Sequence, residues 1–271
     1  MQKLTNQYLP DAFAYLSPEP EFNLFFLGDL ERFGMEHENV SCFTDDDWKP
    51  GEQFPYFILN FRGDVLIYSQ GAYDGKKVAE YLNELRPDNI SGKDEVLRPL
   101  VPYLHRKVVK PTHMSRINEV SSSQKAAYGE KMKLVRRLTE ADVPDIYELY
   151  LTIDEFAYSY RSKSREECYD DLRQNISGLG RTYGIYEEGT LAAVAQTSAE
   201  NRQSAMVIGV ATRPDKRGKG YAKATVLKMC SDCMEDGMDF LCLFYDNPSA
   251  GRIYHSIGFK DLGIYTMIRK S

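Results

Sequence analysis

The stretch MVIGVATRPDKRGKGYA, residues 206–222, carries the signal that decides the fold. Its first seven residues are apolar or small and predict a buried β-strand, and Pro214 and Asp215 then predict a turn. Gly218 and Gly220 let the backbone turn tightly, and a helix is predicted to begin there. Because amides at a helix start point outward and carry part of the helix dipole, this order of elements predicts an anion site.

Two common phosphate loops do not fit this stretch. A Walker A loop needs Ser or Thr directly after a Gly-Lys pair, and none stands there. A dinucleotide fingerprint needs a third glycine where Ala222-Lys223 follows, and no βαβ crossover begins this domain. Arg217 and Lys219 add positive charge without requiring a metal. The loop therefore favours a pyrophosphate cradle that works without magnesium, and solvated basic residues around an ordinary turn are the alternative.

Length and charge limit the class of protein. At roughly 100–200 residues per domain, a chain of 271 residues favours two domains over one. The net charge of −6 and the sequence pI near 5.4 argue against nucleic acid as a partner. No run approaches the roughly 18 apolar residues of a membrane span, and the N-terminus lacks the apolar region of a signal peptide. We therefore expect a cytoplasmic protein without a membrane partner.

The five cysteines are odd in number and scattered, so they do not predict a disulfide framework. Cys230 and Cys233 form a CxxC, but no second pair of cysteines or histidines follows at zinc spacing. Both fall inside a predicted amphipathic helix. We expect packing thiols and no metal site.

A domain boundary is predicted near residue 130. The segment VSSSQKAAYGEKMK (120–133) is polar, rich in serine and weakly periodic, which predicts a linker or a surface loop. The chain then divides into an N-terminal α/β domain over 1–130 and a second domain over 131–271.

Hydrophobic periodicity predicts the elements of both domains. In the first domain it predicts helices at 21–34 and 76–85, two strands around an Arg-Gly-Asp turn within 56–69, and a weaker strand within 104–118. In the second it predicts a strand at 133–138, helices beginning with capping boxes at Thr139 and Ser164, three strands within 181–212, a helix at 218–236, a strand at 238–247, a helix at 248–256 and a strand at 259–269. The stretch TIDEFAYSYRSK (152–163) between the first two helices is predicted as a loop. This order is mixed α/β.

Three motifs in register give a specific resemblance. The strand MVIGVAT precedes Arg217-x-x-Gly220-x-Ala222, which matches the Q/R-x-x-G-x-G/A motif for acetyl-CoA. A third block, N-x-x-A-x-x-x-Y-x-x-x-G-F, is matched by Asn247, Ala250, Tyr254, Gly258 and Phe259. Over about 131–271 the chain thus resembles the GCN5-related N-acetyltransferase (GNAT) superfamily. Through NLFFLGDLERFG (23–34), the first half resembles the degenerate GNAT-like lobe of some two-domain members.

The resemblance implies a fold and a co-substrate. The fold is a mixed, mostly antiparallel sheet with a splayed pair of parallel strands, and the co-substrate is acetyl-CoA without a metal. The resemblance implies that the pantetheine arm pairs with the backbone of Val210, Ala211 and Thr212. It assigns the pyrophosphate to Arg217, Gly218, Lys219, Gly220, Tyr221, Ala222 and Lys223. Asn247 would contact the pantetheine, cap the helix at 248–256, or do both.

Tyr254 is the candidate catalytic residue. In the family, the tyrosine at this position protonates the departing thiolate, and a phenol with a pKa near 10 can do so at neutral pH. Its spacing also fits a core stripe with Ala250, Ile253 and Ile257, so packing is the alternative. Many members carry a carboxylate as the general base on one strand of the parallel pair. Here the strand SAMVIGVA (204–211) has no carboxylate. On the second strand, the position five residues before Asn247 is Cys242, which we expect to lie in the core.

The implied reaction transfers an acetyl group directly to a primary amine of a small molecule in a ternary complex. Candidate substrate contacts are Asp154, Glu155, Tyr158 and Tyr160, and their acidic character mildly favours a cationic amine. A non-catalytic acyl-CoA sensor is the main alternative, and a nucleotide-binding domain is a third. The first domain would cover the acceptor site, support a homodimer, or do neither.

Overall fold

The computed structural model describes residues 1–105 and 107–270. In chain order, the strands are β1 (Gln2–Leu4), β2 (Val40–Thr44), β3 (Phe57–Phe61), β4 (Asp64–Tyr68), β5 (Asn89–Lys93), β6 (Lys107–Ile117), β7 (Val135–Arg137), β8 (Thr182–Glu187), β9 (Thr190–Ser198), β10 (Ser204–Thr212), β11 (Phe240–Tyr245) and β12 (Lys260–Lys270). The α-helices are α1 (Leu9–Leu16), α2 (Leu24–Phe33), α3 (Gly75–Leu85), α4 (Asp94–Leu97), α5 (Ser122–Met132), α6 (Val143–Leu151), α7 (Asp154–Arg161), α8 (Arg165–Gln174), α9 (Tyr221–Glu235) and α10 (Pro248–Ile257).

Two units with their own cores divide the chain. The first takes Met1–Met114 together with the C-terminal segment from Leu262, and the second takes Ser115–Asp261. These units differ from the predicted domains 1–130 and 131–271 at the boundary and at the C-terminus. All the candidate site residues lie in the second unit.

The second unit is a mixed sheet with helices on both faces. Its strands run in the order β11-β10-β9-β8-β7, and only the β10–β11 pair is parallel. One core lies between the sheet and α9, with α10 packed against it, and the other lies between the sheet and the pair α6 and α8. The predicted fold class is confirmed.

The parallel strands β10 and β11 separate as they run toward their carboxyl ends. Pairing joins Ser204–Val207 of β10 to Phe240–Leu243 of β11. Among the described residues, neither strand continues this pairing, although β10 runs to Thr212 and β11 to Tyr245. The opening leaves backbone groups of β10 available to a ligand that adds like a strand.

Most of the predicted elements of the second unit are present, but two loop predictions are wrong. The capping boxes at Thr139 and Ser164 are confirmed. Residues 152–163 contain the helix α7, and the supposed linker contains α5, which begins with a capping box formed by Ser121 and Gln124. In α5 only Met132 is buried. Its apolar pattern is weak because most of its surface faces solvent.

The cysteines of α9 are packing residues, as predicted. Cys230 and Cys233 are free thiols with no exposed surface, and both belong to the core between α9 and the sheet. Burial raises the pKa of the Cys233 thiol to about 12, which keeps it protonated and unreactive at neutral pH.

The first unit repeats one part of this plan. Its strands run in the order β1-β2-β3-β4-β5-β12, and β4 and β5 form a parallel pair joined through α3, as β10 and β11 are joined through α9. At the start of α3 a protein group already occupies one of the free amides. The Asp74 side chain caps α3 by accepting a hydrogen bond from the Lys77 amide at 3.0 Å. A carboxylate at this position opposes binding of an anion.

A half-buried carboxyl group in α2 makes the stability of the chain depend on pH. Burial raises the pKa of Asp29 to about 6, against the opposing influence of Arg32. Because the folded chain binds this proton more tightly than the unfolded chain, its contribution to stability falls as the pH rises from about 4 through 6.

We therefore expect Asp29→Asn to stabilise the chain by roughly 1–3 kcal/mol at about pH 8 and by about a third of that amount at about pH 4.5. Urea unfolding at both pH values measures the difference. Glu84→Gln removes an exposed carboxylate of α3 in the same unit and serves as the control. An equal effect of Asp29→Asn at both pH values would contradict the prediction.

Candidate active site

The loop between β10 and α9 forms a cradle with positive backbone angles at two glycines. Pro214–Lys216 make a short 3₁₀ turn, and Gly218 and Gly220 have φ values of 80° and 79°. Gly220 is the N-cap of α9 and brings no side chain to its amides. The left-handed angles explain why glycine stands at both positions.

The amides at the start of α9 are unoccupied by protein groups. The first bond of the helix runs from the Ala224 amide to the Gly220 carbonyl at 3.1 Å. Within 1–105 and 107–270, no acceptor pairs with the amides of Gly218 through Lys223. A row of free amides at the positive end of a long helix is suited to an anion such as a pyrophosphate.

Two lysines of the cradle are already engaged by a carboxylate. The Lys216 and Lys219 ammonium groups lie 2.7 and 2.8 Å from the carboxylate of Glu187, and the Tyr221 hydroxyl also donates to it. These hydrogen bonds lower the pKa of Glu187 to about 2, and the bond from Lys216 has the largest effect, followed by those from Lys219 and Tyr221. Arg217 reaches back to the Thr212 carbonyl at 3.4 Å. The free amides are therefore the part of the cradle least committed to other partners.

Helix α5 borders the cradle, which the sequence did not predict. A Cβ atom placed on Gly220 would lie 3.3 Å from Cε1 of Tyr128 and 4.0 Å from Nζ of Lys131. The Lys223 ammonium lies 5.8 Å from the centre of the Tyr128 ring. The Gln124 side chain donates to the Ile257 carbonyl and ties α5 to the end of α10. The cradle thus has an aromatic and cationic wall.

A β-bulge interrupts β10 where the strands separate. The register with β9 shifts between Ile208 and Ala211, and Gly209 has a φ of 59°. Ala211 is buried against α6 and α8, while Val210 packs partly against the core on the α9 side. The bulge therefore changes the direction of backbone groups at Val210 beside the opening between the strands.

Tyr254 lies on α10 with its ring partly buried. Its ring centre is 6.0 Å from that of Phe259 and 6.2 Å from that of Tyr245. Burial raises the pKa of the phenol, so it stays protonated at neutral pH. Among the described residues, none hydrogen-bonds its hydroxyl. The ring packing and the free hydroxyl are compatible with Tyr254 as a catalytic acid and with Tyr254 as a core residue.

The family comparison covers β10, the cradle and Tyr254, and it begins after α5. Residues 134–261 match a family model described as acetyltransferase (GNAT) domain. This part of the chain is a GNAT acetyltransferase domain. The comparison with curated proteins gives no match.

Solved structures share the fold of the whole chain, beyond the GNAT domain. A Drosophila protein is 10% identical with a TM-score of 0.65, covering 100% of this chain and 98% of that one. A GCN5-related N-acetyltransferase-like protein from Streptococcus suis is 13% identical with a TM-score of 0.60, covering 99% and 100%. A GNAT-family acetyltransferase from Colwellia psychrerythraea is 10% identical with a TM-score of 0.55, covering 100% and 99%. These likenesses show the fold.

Asn247 caps α10 in the GNAT domain. Its side chain accepts a bond from the Ser249 amide at 2.8 Å, and Pro248 occupies the first helical position. The capping interpretation is confirmed, and the contact with a pantetheine stays a prediction.

The four candidate substrate residues share α7 but not one surface. Asp154 and Glu155 form its first turn, and the Tyr158 side chain is 85% exposed. Tyr160 packs against Tyr150 with ring centres 5.1 Å apart, and burial raises the pKa of its phenol. The structure therefore separates Tyr160, which belongs to the α6 and α8 core, from its three neighbours.

Sequence reasoning missed a polar cluster at the end of α10. His255 Nε2 lies 3.0 Å from Oδ1 of Asp261, and the Tyr245 hydroxyl donates to the same carboxylate at 2.8 Å. The Ser115 hydroxyl also donates to Asp261. These residues come from β6, β11, α10 and β12, so only tertiary structure brings them together.

In the part of the chain that the structure describes, no helix combines the length and the apolar character needed to cross a membrane. Nor do the described residues place three or more His, Cys, Asp or Glu side chains where they could hold a metal ion.

Proposed function

We propose that this chain transfers an acetyl group from acetyl-CoA to a primary amine of a small molecule. The observation that carries the proposal is the row of free amides from Gly218 to Lys223, which follows β10 in the chain beyond the point where β10 separates from β11. A pyrophosphate fits these amides, and a pantetheine arm fits the edge of β10 at Val210–Thr212, which pairs with β9 on its other side and lies beyond the pairing with β11. Both groups belong to coenzyme A.

The acetyl group passes directly from acetyl-CoA to the amine while both substrates are bound. The neutral amine attacks the thioester carbonyl, a C–N bond forms, and the C–S bond breaks. The Tyr254 phenol gives its proton to the departing thiolate, and the attacking amine loses a proton to water. Holding both reactants in place supplies much of the acceleration.

The acceptor is proposed from charge alone. Asp154 and Glu155 are exposed at the start of α7 and favour a cationic small amine. A panel of amines, assayed for release of free CoA thiol after acetyl-CoA binding is established, tests the proposal. Release of CoA thiol faster than the hydrolysis of acetyl-CoA without an amine, with at least one amine of the panel, supports an acetyltransferase.

A non-catalytic acyl-CoA sensor is the second candidate. Neither β10 (SAMVIGVAT) nor β11 (FLCLFY) carries a carboxylate that could serve as a general base. Tight acetyl-CoA binding without release of CoA thiol across the amine panel would support the sensor over the enzyme.

Lys131 gives a prediction for the wall formed by α5. We expect Lys131→Ala to weaken acetyl-CoA binding roughly threefold to tenfold, since a cation near Gly220 is lost, while S-acetylpantetheine binding is unchanged. Calorimetric titration at low salt with both ligands measures the two affinities.

Lys125→Ala is the matched control, because Lys125 lies on the same helix and pairs with Glu235 at 3.9 Å. Its acetyl-CoA affinity should equal that of the unmodified chain. Equal losses for both ligands in Lys131→Ala would show that the helix acts through the fold and not through the phosphates.

A further inference from the structure

A buried tyrosine holds the bulge of β10. The Tyr150 side chain lies in the core of α6, and its hydroxyl is 3.0 Å from the Gly209 carbonyl and 3.1 Å from Oε1 of Gln196. The Gln196 amide in turn donates to the Thr182 hydroxyl at 3.1 Å. A phenol hydroxyl in such a core needs an acceptor, and here Gln196 and the backbone of the proposed acyl-CoA strand share its proton.

A side chain at position 209 would have to displace the Tyr150 hydroxyl and the Gln196 side chain. A Cβ atom there would lie 2.4 Å from the Tyr150 hydroxyl and 2.8 Å from Oε1 of Gln196. The φ of 59° adds backbone strain for a non-glycine residue. The chain thus gives up a side chain at this point of β10 so that the Tyr150 hydroxyl can reach the backbone.

The contact with the Gly209 carbonyl also fixes the next amide. A trans peptide is planar, and its C=O and N–H groups point in opposite directions. Since the Gly209 carbonyl points toward Tyr150, the Val210 amide points away from Tyr150. The Gly209–Val210 peptide lies outside the register pairs with β9 and beyond the pairing with β11, and the Tyr150 hydroxyl donates to its carbonyl.

We infer that Tyr150 is a positioning residue for acetyl transfer, which directs the Val210 amide at the thioester carbonyl oxygen. The inference rests on the proposed function. Charge builds on this oxygen as the amine attacks, and a donor already aimed at it lowers the barrier without rearrangement. Tyr150 touches neither substrate and acts through the Gly209–Val210 peptide.

The test removes only the hydroxyl. Tyr150→Phe keeps the ring that packs against Phe156 and Tyr160, and it leaves the Gly209–Val210 peptide free to turn. We expect kcat to fall at least about tenfold while the KM and the Kd for acetyl-CoA stay within about threefold. The amine acceptor is the one identified by the panel described above.

Infrared spectroscopy of bound acetyl-CoA tests the orientation of the Gly209–Val210 peptide without catalytic turnover. With acetyl-CoA carrying ¹³C at the thioester carbonyl, binding to the unmodified chain should shift the carbonyl band to lower frequency, because a hydrogen bond weakens the C=O bond. Tyr150→Phe should bind the ligand with most of that shift lost. A residue with only a structural role would lower the melting temperature and leave the band of the bound ligand unchanged.

Tyr147→Phe is the control, because it also removes a hydroxyl from a buried tyrosine of α6. Its kcat and its carbonyl band should match those of the unmodified chain. If Tyr150→Phe does not fold, Gln196→Leu removes the second acceptor of the tyrosine proton and leaves that proton to the Gly209 carbonyl, so the band shift should be kept or increased. A lost shift in Gln196→Leu would contradict the role of Tyr150.

The outcomes distinguish a failure of the proposed role of Tyr150 from a failure of the proposed function of the chain. Bound acetyl-CoA with an unchanged band and unchanged kcat in Tyr150→Phe would overturn the role of Tyr150 alone. A band shift in the unmodified chain that is lost in Tyr150→Phe would support it, even if no amine is acetylated and the sensor is correct. Failure of the unmodified chain to bind acetyl-CoA would overturn both.

Discussion

Replacing Gly220 with glutamate is expected to weaken acetyl-CoA binding at least about 100-fold, which corresponds to about 2.7 kcal/mol. The residue has a φ of 79°, and its Cβ atom would lie 3.3 Å from the Tyr128 ring. The new carboxylate would stand at the free amides of α9 and would repel the pyrophosphate that they are proposed to hold. In the first unit, the carboxylate of Asp74 likewise occupies an amide at the start of α3.

Two variants separate charge from backbone strain. Gly220→Ala introduces the strain alone and should lose less affinity. Gly237→Glu adds the same charge at a glycine with a φ of 98° and open space, at the other end of α9. It should bind acetyl-CoA like the unmodified chain. Full affinity in Gly220→Glu would refute the cradle.

Tyr254→Phe is expected to lower kcat at least about tenfold with little change in acetyl-CoA affinity. The variant keeps the ring contacts with Phe259 and Tyr245 and removes only the proton donor. Because the thiolate then takes its proton from water, the loss should appear in the chemical step.

Single-turnover kinetics measures that step, and calorimetric titration gives the affinity. Tyr245→Phe is a suitable control, since this tyrosine neighbours Tyr254 and its hydroxyl donates to Asp261. An unchanged chemical step in Tyr254→Phe would remove it as the acid and would leave the packing interpretation of this position.

The sequence predicted the parts of the site that local chemistry determines. Two glycines, a basic turn and a predicted helix start within one stretch of chain indicate the loop between β10 and α9 as the candidate cradle. The parallel strand pair followed from the family resemblance, and the separation of β10 from β11 agrees with it.

The parts that depend on tertiary contacts could not be predicted in this way. Helix α5 has too few apolar residues to show a periodic pattern, so the sequence predicts a linker or a surface loop where Tyr128 and Lys131 form a wall. The sequence shows Gly209 only as a glycine within a strand, and its contact with Tyr150 spans 59 positions.

The central claim is that the cradle of α9 holds acetyl-CoA without a metal. Calorimetric titration of the full chain with acetyl-CoA in the presence of EDTA tests it most directly, with ATP as the comparison ligand. The account predicts saturable, roughly one-to-one binding of acetyl-CoA at micromolar concentrations that EDTA leaves unchanged, and much weaker binding of ATP. Tight binding of ATP with no binding of acetyl-CoA would contradict it.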